Sequence, residues 1–246
     1  MTVYQWDQYD TYKNHNKLIS EYYEAVHYCH ERALHKLPLA SGSKGLDIAC
    51  GHGESTRLLT KFADSVIGVD SSTELIRLAR EQEYPKQTEF ICSTFQDYKY
   101  GDEKFDLVSG SWFLNHIHNE PDLKTTISKI KSLLKPGGCI SFVVPGDSFT
   151  SRRVQQLALE EYQWEQAWIE EQPKSTHGVF RYNEESWIRT TIWQPMYLIR
   201  LFNKWFNLHT WDVKSTLVRE KRLPELNMEP PFEIIYGQLR ESEASR

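Results

Sequence analysis

What the 246-residue chain lacks removes whole classes of function. It has no apolar run near the roughly 20 residues that a membrane-crossing helix needs. Its first ten residues, Met1 to Asp10, are polar and aromatic, unlike a secretory leader. It has no basic excess. Twenty-nine Lys and Arg stand against 34 Asp and Glu, a net charge of −5, whereas binding a phosphate backbone needs a basic surface. Neither nucleic acid nor a membrane is therefore expected as a partner. Cysteine is scarce and unpaired in pattern. Cys29, Cys50, Cys92 and Cys139 form no Cys-x-x-Cys, so neither a zinc site nor a dithiol redox site is signalled, and no metal is expected. Cys50, Cys92 and Cys139 fall in segments that read as buried strands, where cysteine acts as a small apolar residue. A reduced, cytoplasmic protein follows as the expectation. Internal repeats and low-complexity tracts are also missing.

What is present centres on Gly45-Leu46-Asp47-Ile48-Ala49-Cys50-Gly51-His52-Gly53-Glu54-Ser55. The apolar run Leu46 to Cys50 reads as a buried parallel strand. Gly51 and Gly53 permit a sharp turn where a side chain would collide with a ligand. From Glu54 to Phe62 the spacing is helical, with Leu58, Leu59 and Phe62 on one face. Strand, glycine turn and helix suit two ligands, a dinucleotide or S-adenosylmethionine. The dinucleotide fingerprint needs a third glycine. Here Thr56 stands in its place and Glu54 adds negative charge. Both features disfavour a pyrophosphate.

Further along, Ser65 to Asp70 reads as a second strand ending in an acid. Asp70 lies about 20 residues beyond the glycine turn, the spacing at which a carboxylate reaches ribose hydroxyls. Its competing role is to cap the helix that starts at Ser71-Ser72-Thr73-Glu74. Glu89 to Cys92 and Lys104 to Ser111 read as the third and fourth strands, and Leu123 to Leu134 as an amphipathic helix. Lys135-Pro136-Gly137-Gly138 ends that helix before a fifth strand, Cys139 to Val144.

The ordered set Asp47-x-x-x-Gly51-x-Gly53, Asp70, Phe105-Asp106 and Pro136-Gly137-Gly138 resembles the class I S-adenosylmethionine-dependent methyltransferases, small-molecule type. The resemblance implies an α/β, Rossmann-like, doubly wound sheet of seven strands, mostly parallel with an antiparallel last strand. It carries a helical N-terminal cap and a helical insertion after strand five. The expected division is a single domain: cap 1–40, cofactor-binding core 41–146, substrate-side insertion 147–208 and closing strands 209–240.

The resemblance also implies site roles. S-adenosyl-L-methionine is the cofactor. Asp70 holds the ribose, the Gly51 and Gly53 backbone gives close approach, and Asp47 orients the turn or, through water, the ammonium group. Thr94 and Phe95 stand near the adenine, through the Thr94 hydroxyl, the Phe95 amide and a stacked Phe95 ring. Tyr12, Ala49, Ser71 and Ser111 complete the cofactor set. On the acceptor side lie Trp112, Asn115, His177 and Arg181, with His116 as the candidate base because imidazole titrates near neutrality. His118 is the weaker candidate.

Six of the eight tryptophans lie between Trp164 and Trp211. Val154 to Glu171 reads as helical with Trp164 and Trp168 at i, i+4, Phe180 to Tyr182 as a short strand, and Asn183 or Glu184 as the start of a helix bearing Trp187. Tyr197 to Asn207 reads as the last helix, and Trp211 to Arg219 and Phe232 to Leu239 as the closing strands. The expected reaction is methyl transfer to a small-molecule oxygen, nitrogen or carbon by a monomer or homodimer. The alternatives are a non-methylating use of the same cofactor and an NAD-dependent oxidoreductase.

Overall fold

Apolar strands alternate with helices from residue 44 to residue 145, and this alternation builds the parallel part of the central sheet. The computed structural model describes residues 24–162, 165–181, 187–219 and 231–240. The described part of α1 covers residues 24–34. Then follow Lys44–Ile48 (β1), Glu54–Leu59 (α2), Ser65–Asp70 (β2), Thr73–Arg80 (α3), Gln87–Cys92 (β3), Phe105–Ser111 (β4), Glu120–Leu133 (α4) and Leu134–Pro145 (β5). β1, β2, β4 and β5 are buried almost throughout, as strands covered by helices on both faces must be. Helix starts follow side-chain caps. Ser72 accepts the Leu75 amide at the head of α3, and Asn119 accepts the Asp122 amide at the head of α4.

After β5 the chain leaves the sheet. Arg152–Tyr162 is α5, and Glu165–Gln172 (β6), Ser175–Arg181 (β7) and Trp187–Trp193 (β8) pair antiparallel as a separate three-stranded sheet. Pro195–Phe202 (α6), Phe206–Asp212 (β9), Val213–Arg219 (α7) and Phe232–Leu239 (β10) complete the chain. The main sheet has seven strands in the order β3-β2-β1-β4-β5-β10-β9. The first five are parallel, and β10 runs antiparallel between β5 and β9. α1 and α2 cover one face, where Leu34, Leu58 and Leu59 pack on Val66 and Leu107. α4 and α6 cover the other, where Ile127, Ile130 and Phe202 pack on Phe105 and Phe142. Strand order reverses between β1 and β4, so their carboxyl ends frame the crevice where ligands bind in open α/β sheets.

Several expectations are corrected. The insertion is one helix and a three-stranded sheet, not helical throughout. Glu165 to Glu171 is strand, because the chain turns back at Pro173-Lys174 and Gln172 pairs with Ser175. Trp164 and residues 182–186 lie outside the described residues. Trp187 begins a strand, not a helical segment, and the β-branched run Ile188, Thr190, Thr191, Ile192 explains why. Asn207 belongs to β9, and Val213 to Arg219 is helical where a strand was expected. Asp212 caps that helix by accepting the Ser215 amide. Lys135 to Gly138 forms an irregular start to β5, with a register shift opposite β4. Cys92 is exposed, because β3 is the sheet's edge strand. The helix expected from Leu18 is described only from residue 24.

α1 is fastened to the sheet by a buried contact, His30 Nε2 with Ser141 Oγ at 2.8 Å. Burial pushes the His30 imidazole down to about 3, with His27 adding to the shift. The folded state therefore binds fewer protons than the unfolded one between about pH 3 and 6.5, and stability falls as pH falls through that window. Acidifying from pH 7 to about 5 is expected to lower the thermal midpoint. His30→Gln, which keeps a partner for Ser141 without titrating, is expected to show a shallower fall by circular dichroism.

Candidate functional site

The backbone after β1 turns left-handed three times within five residues, with φ of 56° at Ala49, 54° at Gly51 and 94° at Gly53. Asp47, fully buried at the end of β1, ties this turn to α2. Its Oδ2 accepts the hydroxyls of Ser55 at 2.7 Å and Thr56 at 2.6 Å. Its Oδ1 is buried with no hydrogen-bond partner. Burial raises the Asp47 carboxyl to about 6, the two hydroxyls oppose the shift, and the charge of Asp70 adds to it. Thr56, where the dinucleotide fingerprint needs glycine, thus anchors Asp47 instead. The side chain excluded at Gly53 would strike Tyr84 of the chain itself, whose hydroxyl lies 2.0 Å from where a Cβ would sit. At Gly51 the corresponding space is open.

Asp70 ends β2 half-buried, beside this turn. Its Oδ2 accepts the Gly51 amide and its Oδ1 the Ser72 amide, both at 2.9 Å. The capping reading of Asp70 is met at the start of α3, and the same carboxylate also holds the glycine turn. Ser71 follows it, half-buried. Past β3, the Thr94 hydroxyl donates to Asp97 at 2.6 Å and accepts the Asp97 amide at 3.0 Å. The Phe95 ring is 4% exposed and packs edge-on against Phe113, with the Lys129 ammonium 5.0 Å from its centre. The expectation that this ring stacks on an adenine is therefore corrected: it is a core residue.

β4 ends at Ser111, whose hydroxyl is buried with no hydrogen-bond partner. Trp112 has φ of 55°, donates its amide to Val143 O at 3.0 Å, and sets its ring edge-on to Phe232. Leu114–His116 forms a short 3-10 turn. β8 closes over this turn. Asn115 Nδ2 donates to Thr190 Oγ1 at 3.4 Å, and Trp193 Nε1 donates to Ile117 O at 2.9 Å. Thr191 Oγ1 lies 3.0 Å from His118 Nδ1 and 2.9 Å from His177 Nδ1, and Ser175 Oγ lies 3.3 Å from His177 Nε2. A hydroxyl has one proton to give. Thr191 can therefore donate to only one of the two rings and must accept from the other if both contacts are hydrogen bonds. Burial pushes His116 and His118 each down to about 4, aided by His118 at the former and by Arg189 and His177 at the latter.

The structure thus gathers Asp47, Ala49, Gly51, Gly53, Asp70 and Ser71 at one end of the crevice. Trp112, Asn115, His116 and His177 lie on the side nearer the inserted sheet. Arg181 is placed only by its backbone, paired with Glu165 at the far end of β7. Tyr12 lies outside the described residues. Thr190 and Thr191 are not among the sequence-predicted site residues, and their signal is the β-branched run from Ile188 to Ile192. Among the described residues, no group of three His, Cys, Asp or Glu side chains is placed to hold a metal ion.

Comparison with known proteins adds family context. The family model described as Methyltransferase domain matches residues 46–138. An uncharacterized methyltransferase of Synechocystis sp. is 32% identical over 114 residues, covering 46% of this chain and 52% of that protein. The 27-O-demethylrifamycin SV methyltransferase of Amycolatopsis mediterranei is 28% identical over 179 residues, covering 65% of each. The chain thus spans about half to two-thirds of the length of these curated relatives. In fold, it is similar to the crystal structure of an S-adenosylmethionine-dependent methyltransferase from Clostridium acetobutylicum. The TM-score is 0.62 at 16% identity, covering 94% of this chain and 98% of that one.

The raised Asp47 carboxyl makes a signed prediction. Its folded value of about 6 lies above the ordinary 3.8, so ionising it costs stability as pH rises through that interval. Asp47→Asn, which stays neutral and keeps one oxygen for Ser55 and Thr56, is expected to gain about 2–3 kcal/mol relative to the parent between about pH 4 and 8. Denaturant unfolding at the two pH values measures it.

Proposed function

We propose that the chain is a class I S-adenosylmethionine-dependent methyltransferase that moves a methyl group from S-adenosylmethionine to a small molecule, a reading supported by the methyltransferase-domain match over residues 46–138. The products are the methylated acceptor and S-adenosylhomocysteine. The observation that carries this reading is the left-handed turn at 49–53 with Asp70 bonded to its Gly51 amide. The residues fit the cofactor. A buried acceptor is orphaned at Asp47, a buried hydroxyl is orphaned at Ser111, and the space beside Gly51 is open. A dinucleotide fits less well, because Thr56 is locked to Asp47 and Glu54 sits at the turn in contact with His52 at 3.3 Å.

In this reading Asp70 accepts the ribose hydroxyls, since charge-assisted hydrogen bonds to a carboxylate are stronger than neutral ones. Ala49, Gly51, Gly53 and Ser71 bring the backbone close. Thr94 and the Phe95 amide border the adenine, Ser111 offers its hydroxyl, and Tyr12 belongs to the closing cap. Bound there, S-adenosylmethionine supplies a methyl group on a cationic sulfur, already activated for in-line displacement. What remains for the protein is approach geometry and removal of water. His116, neutral at pH 7, takes the acceptor's proton. Its weak basicity suits an acceptor that is itself acidic, such as a phenol or enol. Trp112, Asn115, His177 and Arg181 form the acceptor side. An oxygen acceptor is favoured by the rifamycin relative, which its name places on an O-demethyl substrate.

Along the chain, 1–40 acts as cap, 41–146 as cofactor core, 147–208 as acceptor-side insertion and 209–240 as closing strands. The net charge of −5 supports a small-molecule rather than nucleic-acid acceptor. The four cysteines, none of them in a disulfide, support a reducing cytoplasm, with the protein acting as monomer or homodimer.

Titration calorimetry with S-adenosylhomocysteine tests the cofactor reading. Asp70→Ala is expected to weaken binding by about tenfold to a hundredfold. An unchanged affinity refutes the ribose assignment, and a tight NAD complex refutes the reading altogether. In a methyl-transfer assay on fractionated small molecules, His116→Ala is expected to slow turnover by about 100-fold at unchanged S-adenosylhomocysteine affinity.

A further inference from the structure

The glycine turn is also held from the segment joining α3 to β3. Gln82 Nε2 donates to His52 O at 2.9 Å, and Gln82 Oε1 accepts Arg57 Nη2 at 2.9 Å. Arg57 also donates to Glu83 O at 2.6 Å and lies over the Tyr84 ring, 4.7 Å from its centre. Inside the turn, the Gly53 amide donates to Cys50 O at 3.0 Å, and the Gly51 amide donates to Asp70. These contacts join end to end. The Arg57 guanidinium gives to the Gln82 oxygen, and the Gln82 amide gives to the His52 carbonyl. The far side of that peptide, Gly53 N–H, gives to the Cys50 carbonyl, and the far side of the next, Gly51 N–H, gives to the Asp70 carboxylate. One chain of four hydrogen bonds thus runs from a cation to an anion through two peptide units of the turn.

We propose that Gln82 and Arg57 are positioning residues for cofactor binding, acting on Asp70 and the 49–53 turn through this chain. The proposal rests on the reading that the turn grips S-adenosylmethionine. Three physical points carry it. Every dipole in the chain points the same way, from Arg57 toward Asp70, so each bond polarises and strengthens the next. The turn is a strained object, since a left-handed alanine costs roughly 1–2 kcal/mol. Such strain persists only where the surroundings over-determine it. The Gln82 amide also reads its orientation from both ends, for a flipped amide would set NH₂ against Arg57 and oxygen against His52 O. Arg57 is exposed and Gln82 half-buried, so the pair adds little to the core. Its effect falls on the turn.

Two substitutions break the chain without touching the crevice. Gln82→Leu removes both contacts. Gln82→Glu keeps an acceptor for Arg57 and loses the donor to His52 O. Both are expected to weaken S-adenosylhomocysteine about fivefold or more in calorimetry, the scale of one lost hydrogen bond. The ligand-free thermal midpoint is expected to stay within about 2 °C of the parent. Hydrogen–deuterium exchange of the ligand-free protein is expected to quicken at residues 50–53 in both variants. An affinity within twofold of the parent in either variant overturns the proposal, as does a loss that appears only alongside a fallen midpoint. If the parent chain itself binds no S-adenosylhomocysteine, the cofactor reading has failed. Unaltered exchange at 50–53 would show separately that the chain does not hold the turn.

Discussion

The structure depends first on a buried carboxylate. Asp47 stands where an apolar residue would ordinarily close the end of a core strand, and it accepts two hydroxyls from the first turn of α2. Withdrawing a carboxylate from water is costly unless hydrogen bonds compensate. Ser55 and Thr56 provide two of them, and in doing so fix the angle at which α2 leaves the sheet. Given that angle, the five residues between strand and helix have one short path, and it passes through left-handed backbone at Ala49, Gly51 and Gly53. Asp70 then meets the Gly51 amide from the neighbouring strand. The crevice is shaped by these constraints before any ligand enters it.

A second constraint joins the two sheets. The seven-stranded sheet supplies the wall of the crevice up to Ser111, and the three-stranded sheet supplies what lies opposite. Their seam is polar at Asn115, His118, Thr190, Thr191 and His177, and aromatic where Phe149, Trp168 and Phe180 pack together. Polar contacts at a seam specify register in a way that interchangeable apolar contacts do not. The inserted strands are therefore held in one position over the 114–118 turn.

Legibility in the sequence follows the same division. In residues 44–145 each element is announced by a local rule: an apolar run, a glycine turn, a Ser or Asn cap. Asp70 ends β2, where the apolar run before it puts a strand end. Beyond Pro145 local signals compete. Trp164 and Trp168 share helical spacing, yet Trp168 lies in a strand because Pro173-Lys174 reverses the chain and pairs β6 with β7. Asp212 reads as the second residue of an alternating strand, and only its bond to the Ser215 amide reveals a cap. Within the site, the residue types were legible and their partners were not. Nothing local indicates that Phe95 turns inward, that Gly53 makes room for Tyr84, or that Thr191 joins two histidines 59 positions apart, His118 and His177.

The edge position of β3 has a practical consequence. Cys29, Cys50 and Cys139 are sealed in the interior, whereas Cys92 is open to solvent and pairs in register with Asp70. A maleimide dye would therefore attach at one place, a single strand away from the carboxylate at the head of the crevice. The wild-type chain thus carries its own fluorescent reporter position for occupancy, and no engineered thiol is needed.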